Sequence, residues 1–190
     1  AHKSVEEGYA CNLTLETDIV LPVPAAGESN WTPIGNYISK QAGASTTHPN
    51  SFSGTIDGKG HTISNLTINT TVPGAGFIGQ INGGSIKNLT LADVNINSTS
   101  SHVAAFAGAI SSTKVRIENC HVESGTVQGS GSYVAGIASG SSKSLLISKC
   151  SNKANITGNG NYVGGISGYA SCDNCQNYGT VINNTTKNGY

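Results

Sequence analysis

The chain of 190 residues has no methionine, a single arginine (Arg116), and only 11% charged residues with a formal net charge of +0. That balance excludes the clustered basic charge on which nucleic acid or an anionic membrane surface depends. So little charge is also unlike an ordinary cytosolic enzyme. No apolar run approaches the roughly 18–20 residues of a membrane span, and Ala1–Glu7 contains no signal-peptide core. Apolar residues at helical spacing are missing too. The polar positions are filled instead by Asn, Ser, Thr and 25 glycines, a composition that favours turns and strands. The length fits one domain.

A short phrase, Ile-x-Asn-Leu, recurs along the chain as Ile63-Ser64-Asn65-Leu66, Ile86-Lys87-Asn88-Leu89, Ile117-Glu118-Asn119-Cys120, Ile147-Ser148-Lys149-Cys150 and Cys172-Asp173-Asn174-Cys175. A second phrase precedes the later copies: Gly76-Phe77-Ile78-Gly79, Ala105-Phe106-Ala107-Gly108, Gly136-Ile137-Ala138-Ser139 and Gly165-Ile166-Ser167-Gly168. A third apolar position trails at Ile96, Val127, Ile156 and Val181. The first column advances by roughly 23, 31, 30 and 25 residues, within the range of solenoids.

Strands that keep register while loops vary predict a parallel β-helix, each coil stacked about 4.8 Å above the last. The expected fold is all-β, a right-handed parallel β-helix, the hand following the usual crossover preference. The Ile and Leu/Cys columns would face inward. Asn65, Asn88, Asn119 and Asn174 would form an Asn ladder at a bend, interrupted at Lys149. Residues 1–50 are assigned to an N-terminal cap with the first strands, the capping segment lying around Cys11–Gly35, with Trp31 and Phe52 packing beneath it. Residues 51–190 are assigned to the β-helical repeats, the whole being one continuous domain read as a piece of a longer protein. A β-sandwich would have no reason to repeat the same columns.

The Gly76–Gly79 and Gly165–Gly168 phrases, with Val163 before the latter and an Ile-x-Asn-Cys strand after such phrases, resemble GLUG-motif repeats. Leu15–Leu21, Trp31–Gly35 and Phe52–Ile63 are similar to the segment that commonly precedes those repeats in bacterial surface proteins. Ala105 and Ser139 depart from the motif, standing where glycine is expected. The resemblance implies an extracellular or cell-surface β-helical module, as in adhesin-like proteins, large haemagglutinin-like proteins and non-catalytic regions of some bacterial immunoglobulin A peptidases.

The chemistry-bearing residues are weighed against that architecture. Cys172 and Cys175 form a C-x-x-C, yet they fall in the aliphatic columns beneath Cys150 and Cys120, so they read as core residues. Zinc would need a second ligand pair, and no metal or cofactor is expected. A disulfide stays open in an oxidising compartment, and Cys11 has no evident partner. Asn-x-Ser/Thr occurs at Asn12, Asn30, Asn65, Asn69, Asn88, Asn97, Asn155, Asn183 and Asn184, a by-product of Asn/Thr-rich strands.

Catalysis finds little support. Asp57-Gly58-Lys59-Gly60-His61 resembles the early turn of pectin-degrading β-helix enzymes, which keeps a polysaccharide lyase or hydrolase as the alternative. None of the four aspartates, Asp18, Asp57, Asp93 and Asp173, pairs with another as glycoside hydrolysis would require. Arg116, Glu118, His121 and Glu123 form the densest polar group, read as a solvated face. No catalytic residue is assigned.

The candidate binding residues are His102, Tyr133 and Tyr162. Each directly precedes the valine that opens its repeat, so the three would stack as a column, with Tyr169 and Tyr178 beside it. Aromatic rings suit a glycan or a host surface protein, though they also serve plain cross-strand packing. The expected function is a non-catalytic structural or adhesive module whose loops, such as Gln41–Ser51 and Ser98–His102, tolerate change.

Overall fold

A computed structural model describes residues 10–35, 37, 50–112, 114–140 and 146–185. Among them there is no helix. All strand pairs are parallel, as a chain that winds in one direction must make them. The long face stacks Asn12–Thr14, Thr55–Asp57, Gly84–Ala92, Val115–Val122, Leu146–Ser148 and Ser171–Asp173. A second face stacks Thr67–Thr70, Val94–Ser98, Gly125–Gly129, Asn155–Gly158 and Val181–Asn183. Val103–Ala104, Val134–Ala135 and Val163–Gly164 form a third. Ile78–Ile81 and Ala107–Ile110 form a fourth. The result is the expected parallel β-solenoid.

The interior is built from columns. Ile56, Ile86, Ile117 and Ile147 pair in succession, as do Ile68, Ile96, Val127 and Ile156 on the second face. All eight are essentially inaccessible to solvent. The Gly-Phe-Ile-Gly phrases fall in register as well, through Ile78, Ala107, Ala138 and Ser167. Gly136 and Gly165 in these phrases have a direct reason: a Cβ there would run into the amide side chains of Asn152 and Asn177 of the following coils.

One column differs from expectation. Ile63 pairs with Leu91 and Ile19, whereas Ile86 pairs with Ile56. The phrase apolar-x-Asn/Asp-apolar marks two corners of one coil, at Ile86–Leu89 and Leu91–Val94, and Ile63-Ser64-Asn65-Leu66 aligns with the second of them. At both corners the third residue is left-handed, with φ of 65° at Asn65 and 52° at Asp93, against 52° at Asn88 and 51° at Asn119. Asn and Asp tolerate that conformation best among non-glycine residues. The short first interval therefore measured corner to corner, and true coils in this column are 30 residues apart at Ile56 and Ile86 and 31 at Ile86 and Ile117.

The ladder at the first corner is real without Asn65. Asn119 Nδ2 donates to Asn88 Oδ1 (2.9 Å), and Asn88 Nδ2 donates to Asp57 Oδ1 (3.1 Å). Lys149 holds the same left-handed corner, φ 54°, and turns its ammonium to Glu118 instead. Asn65 serves the other corner, donating to the Leu21 carbonyl at 3.2 Å.

The N-terminal segment covers the core by forming a coil of its own. Leu13 pairs with Ile56 and Ile19 with Ile63, while Leu15, Leu21, Trp31 and Ile34 pack against the interior. Phe52 is fully buried, and Trp31 stacks on Phe77. At the opposite end Ser171–Asp173 and Val181–Asn183 are exposed throughout. Cys120 and Cys150 are buried as expected, but Cys172 is exposed because no described coil stacks beyond it. All five thiols are free. Most of the loop at Gln41–Ser51 lies outside the described residues.

Candidate functional site

His102, Tyr133 and Tyr162 do stack, at the corner before the third face. Ring centroids are 4.9 Å apart for His102 and Tyr133 and 4.7 Å for Tyr133 and Tyr162, with planes inclined by 21° and 13°. The spacing is the strand repeat itself. All three residues are left-handed, with φ between 63° and 64°, a conformation that costs an L-residue about 1–2 kcal/mol. It is held by backbone bonds between coils: His102 N–H to the Ser132 carbonyl, Tyr133 N–H to Asn161, and Val134 N–H to Tyr162. Ring stacking contributes about 0.5–1.5 kcal/mol per pair. The two magnitudes nearly cancel, so the rings offset the strain of the corner on which they sit.

Stacking also fixes what the ladder can present. The faces of His102 and Tyr133 are covered by neighbours, leaving the ring edges for a partner. Tyr169 meets Tyr162 edge-on at 5.3 Å and an angle of 75°. Tyr178 is elsewhere, its hydroxyl bonded to Gln176 on the long face.

Tyr37 extends the column, stacking on His102 at 4.8 Å. Sequence reasoning missed it because the equivalent corner of the intervening coil is Gly74, whose N–H also bonds to the His102 carbonyl. A Cβ at Gly74 would stand 2.7 Å from that of Tyr37. A missing aromatic at position 74, with Tyr37-Ile38 repeating the aromatic-aliphatic pair upstream, is the signal that could have found it.

The polar group on the long face resolves into ion pairs. Glu118 meets Lys149 at 3.0 Å and Glu123 meets Lys153 at 2.6 Å, each from the next coil. His121 has both ring nitrogens engaged, Nδ1 with Ser151 Oγ at 2.9 Å and Nε2 with Asn119 Oδ1 at 3.2 Å. Arg116 and Glu118 share the outward face, both exposed. His121, Glu123, Lys149 and Tyr178 border a shallow depression of about 510 Å³. The carboxylate that borders it, Glu123, is the one engaged by Lys153.

The early turn is similarly committed. Asp57 accepts from the Lys59 N–H and from Asn88 Nδ2 and pairs with Lys87 at 3.1 Å, contacts that lower its carboxyl to a pKa of about 2. Asp18 accepts from the Thr62 N–H and faces His61, and its pKa is lowered too. Among the described residues no group of three or more His, Cys, Asp or Glu is placed to hold a metal ion. Burial raises the pKa of the Cys120 thiol, which suits a core residue better than a nucleophile.

Residues 36–124 match the family model of the N-terminal region of the M26 immunoglobulin A1-specific metallo-endopeptidases. Among solved structures, a candidate immunoglobulin A1 protease from Bacteroides ovatus is similar, with a TM-score of 0.71 and 22% identity over 92% of this chain and 52% of that one. The likeness at this identity is one of fold, and the chain spans about half the length of that protein. No curated protein sequence matches the chain.

Proposed function

We propose that the chain is a non-catalytic recognition module of a secreted or surface-exposed bacterial protein, allied to the N-terminal regions of immunoglobulin A1 peptidases. In this reading the solenoid is a rigid rod that carries a contact surface, and peptide-bond cleavage belongs to another part of the protein. The GLUG-like character of its phrases fits the same surface context. The observation that carries the reading is the engagement of the acids. Glu16, Asp18, Asp57, Asp93, Glu118 and Glu123 each hold a neighbouring lysine, histidine, serine or backbone amide, and in Glu16, Asp18 and Asp57 those contacts lower the pKa and make the carboxylate a weaker base.

The contact surface we assign is the edge of the His102, Tyr133 and Tyr162 column, with a host protein or glycan as partner. The two comparisons suggest immunoglobulin A1 as the host protein to try first. The chain should bind immobilised immunoglobulin A1 while leaving it uncut, and replacing Tyr133 and Tyr162 together by serine should weaken that binding at least tenfold. Mass spectrometry of neutral and acidic polysaccharides incubated with the chain and calcium should show no new oligosaccharides. Released products would overturn the reading and direct attention to Glu118, His121 and Glu123.

A further inference from the structure

A cleft of about 610 Å³ opens beside the start of the aromatic column, inside the roughly 300–1,000 Å³ range of small-molecule sites. Trp31, Pro33, Tyr37, Asn50, Val72 and Pro73 are among the residues that line it. It lies where the N-terminal coil passes the second face.

Two rings reach this cleft with one face each already used. The indole of Trp31 lies on Phe77 at 5.0 Å and donates its Nε1–H to the Phe77 carbonyl at 3.0 Å. Tyr37 lies on His102, and among the described residues no ring stacks on its other side. Each is stacked by a described ring on one side only, unlike His102 and Tyr133 further along the column. The described residues of the lining include no charged side chain, which disfavours phosphates, carboxylates and cationic ligands alike, since none of them would compensate the desolvation. Hydroxyl and amide groups surround the rings instead, from Ser29, Thr32, Asn69 and Thr70. Asn50 brings an acceptor that the protein leaves unmet: its Oδ1 is shielded from solvent and has no hydrogen-bond partner. Such a group is costly until a donor meets it.

A pair of flat apolar faces, neutral polar groups around them and an unmet acceptor match one ligand chemistry. A neutral sugar presents C–H groups on its ring faces and hydroxyl donors at its rim. We propose that this cleft is a binding site for a neutral saccharide of one or two rings, packed against Trp31 and Tyr37, with the Asn50 amide turning into the cleft to accept one of its hydroxyls. The proposal goes beyond the recognition reading above, because it concerns a different surface and stands whether or not the column's edge binds a protein.

Trp31 is the only tryptophan, so its fluorescence reports on the cleft directly. Lactose, cellobiose and diacetylchitobiose titrated separately into the chain should give, for at least one of them, a saturable change in emission with a millimolar dissociation constant. Val72 is 63% exposed at this cleft, so Val72→Glu should fold normally and weaken that binding about tenfold, equivalent to about 1.4 kcal/mol. Asn50→Ala should weaken it about fivefold. Ile182→Ser, at an exposed position of the opposite end of the solenoid, should leave it unchanged. No emission change with any of the three sugars would overturn the proposal. So would wild-type affinity in both cleft variants, or a proline-rich peptide saturating the signal where sugars fail.

Discussion

His102 is the one imidazole in a stack of phenols, and that makes it the residue through which the ladder feels pH. Burial between Tyr37 and Tyr133 pushes its pKa below the usual histidine value of 6.5. The unfolded chain then binds the proton more readily than the folded one, so folding stability is complete above about pH 6.5 and declines as pH falls through the window below it. The midpoint of urea unfolding measured from pH 7.5 to 5 should therefore drop in the wild type. His102→Tyr should flatten that dependence, because Tyr133 and Tyr162 already show that a phenol is accepted at the same φ. Asp57 acts at lower pH and through a different cause. Its carboxylate is held by the Lys59 amide, Asn88 and Lys87, so the stability it contributes is present above about pH 4 and lost as pH falls toward 2. When the same measurement is carried on from pH 5 to 2, Asp57→Asn should make the loss of stability shallower than in the wild type. Sequence alone placed His102, Tyr133 and Tyr162 in one column because each precedes a valine of the third face. It could not show that their faces are mutually covered, since ring planes are set by side-chain torsions and packing that no spacing encodes.

Strands in this molecule are short, and the corners between them carry as much information as the strands do. A left-handed residue stands at many of the corners, Asn and Asp recur there, and that recurrence made the coil pattern visible before any coordinates. The same recurrence misled at Ile63, because two corners of one coil obey one local rule and look alike in sequence. Only the pairing of Ile56 with Ile86 separates them. Corner and column should respond differently to mutation. Asn119→Gly keeps the left-handed backbone available and removes the bond to Asn88, for a loss of about 1 kcal/mol. Asn119→Ala removes the same bond and adds about 1–2 kcal/mol of backbone cost, so alanine should be the more damaging replacement at this exposed site. Ile117→Ala, within a fully buried column, should cost about 2–5 kcal/mol through the cavity it leaves. Urea denaturation of the three variants ranks them, and a glycine variant as unstable as the alanine one would remove the corner argument.

Along the whole molecule each coil touches mainly the coil before and the coil after, so stability is set by neighbours and varies with position. The architecture was legible because stacking forces equivalent positions to share one chemistry, coil after coil. The cleft is not repeated in that way: it lies where the N-terminal coil departs from the others, and a reading based on recurrence passes over such a place. The same nearest-neighbour logic sets an order of opening. The strands Gly84–Ala92 and Val115–Val122 are paired on both sides along the long face, whereas among the described residues Ser171–Asp173 and Val181–Asn183 each have one partner strand and are exposed. Amide hydrogen exchange should be slowest at Ile86 and Ile117 and fastest, within the strands, at Val181–Asn183. Thiol labelling under native conditions should follow the same axis, with Cys172 modified before Cys150 and Cys120 modified only on unfolding. Cys172 should nonetheless react slowly for an exposed thiol, because partial desolvation and the neighbouring Cys175 raise its pKa to about 11 and the thiolate is the reacting form. Uniform exchange from end to end, or early modification of Cys120, would mean that the solenoid opens as one unit, and a module so cooperative would transmit a contact at either end through its full length.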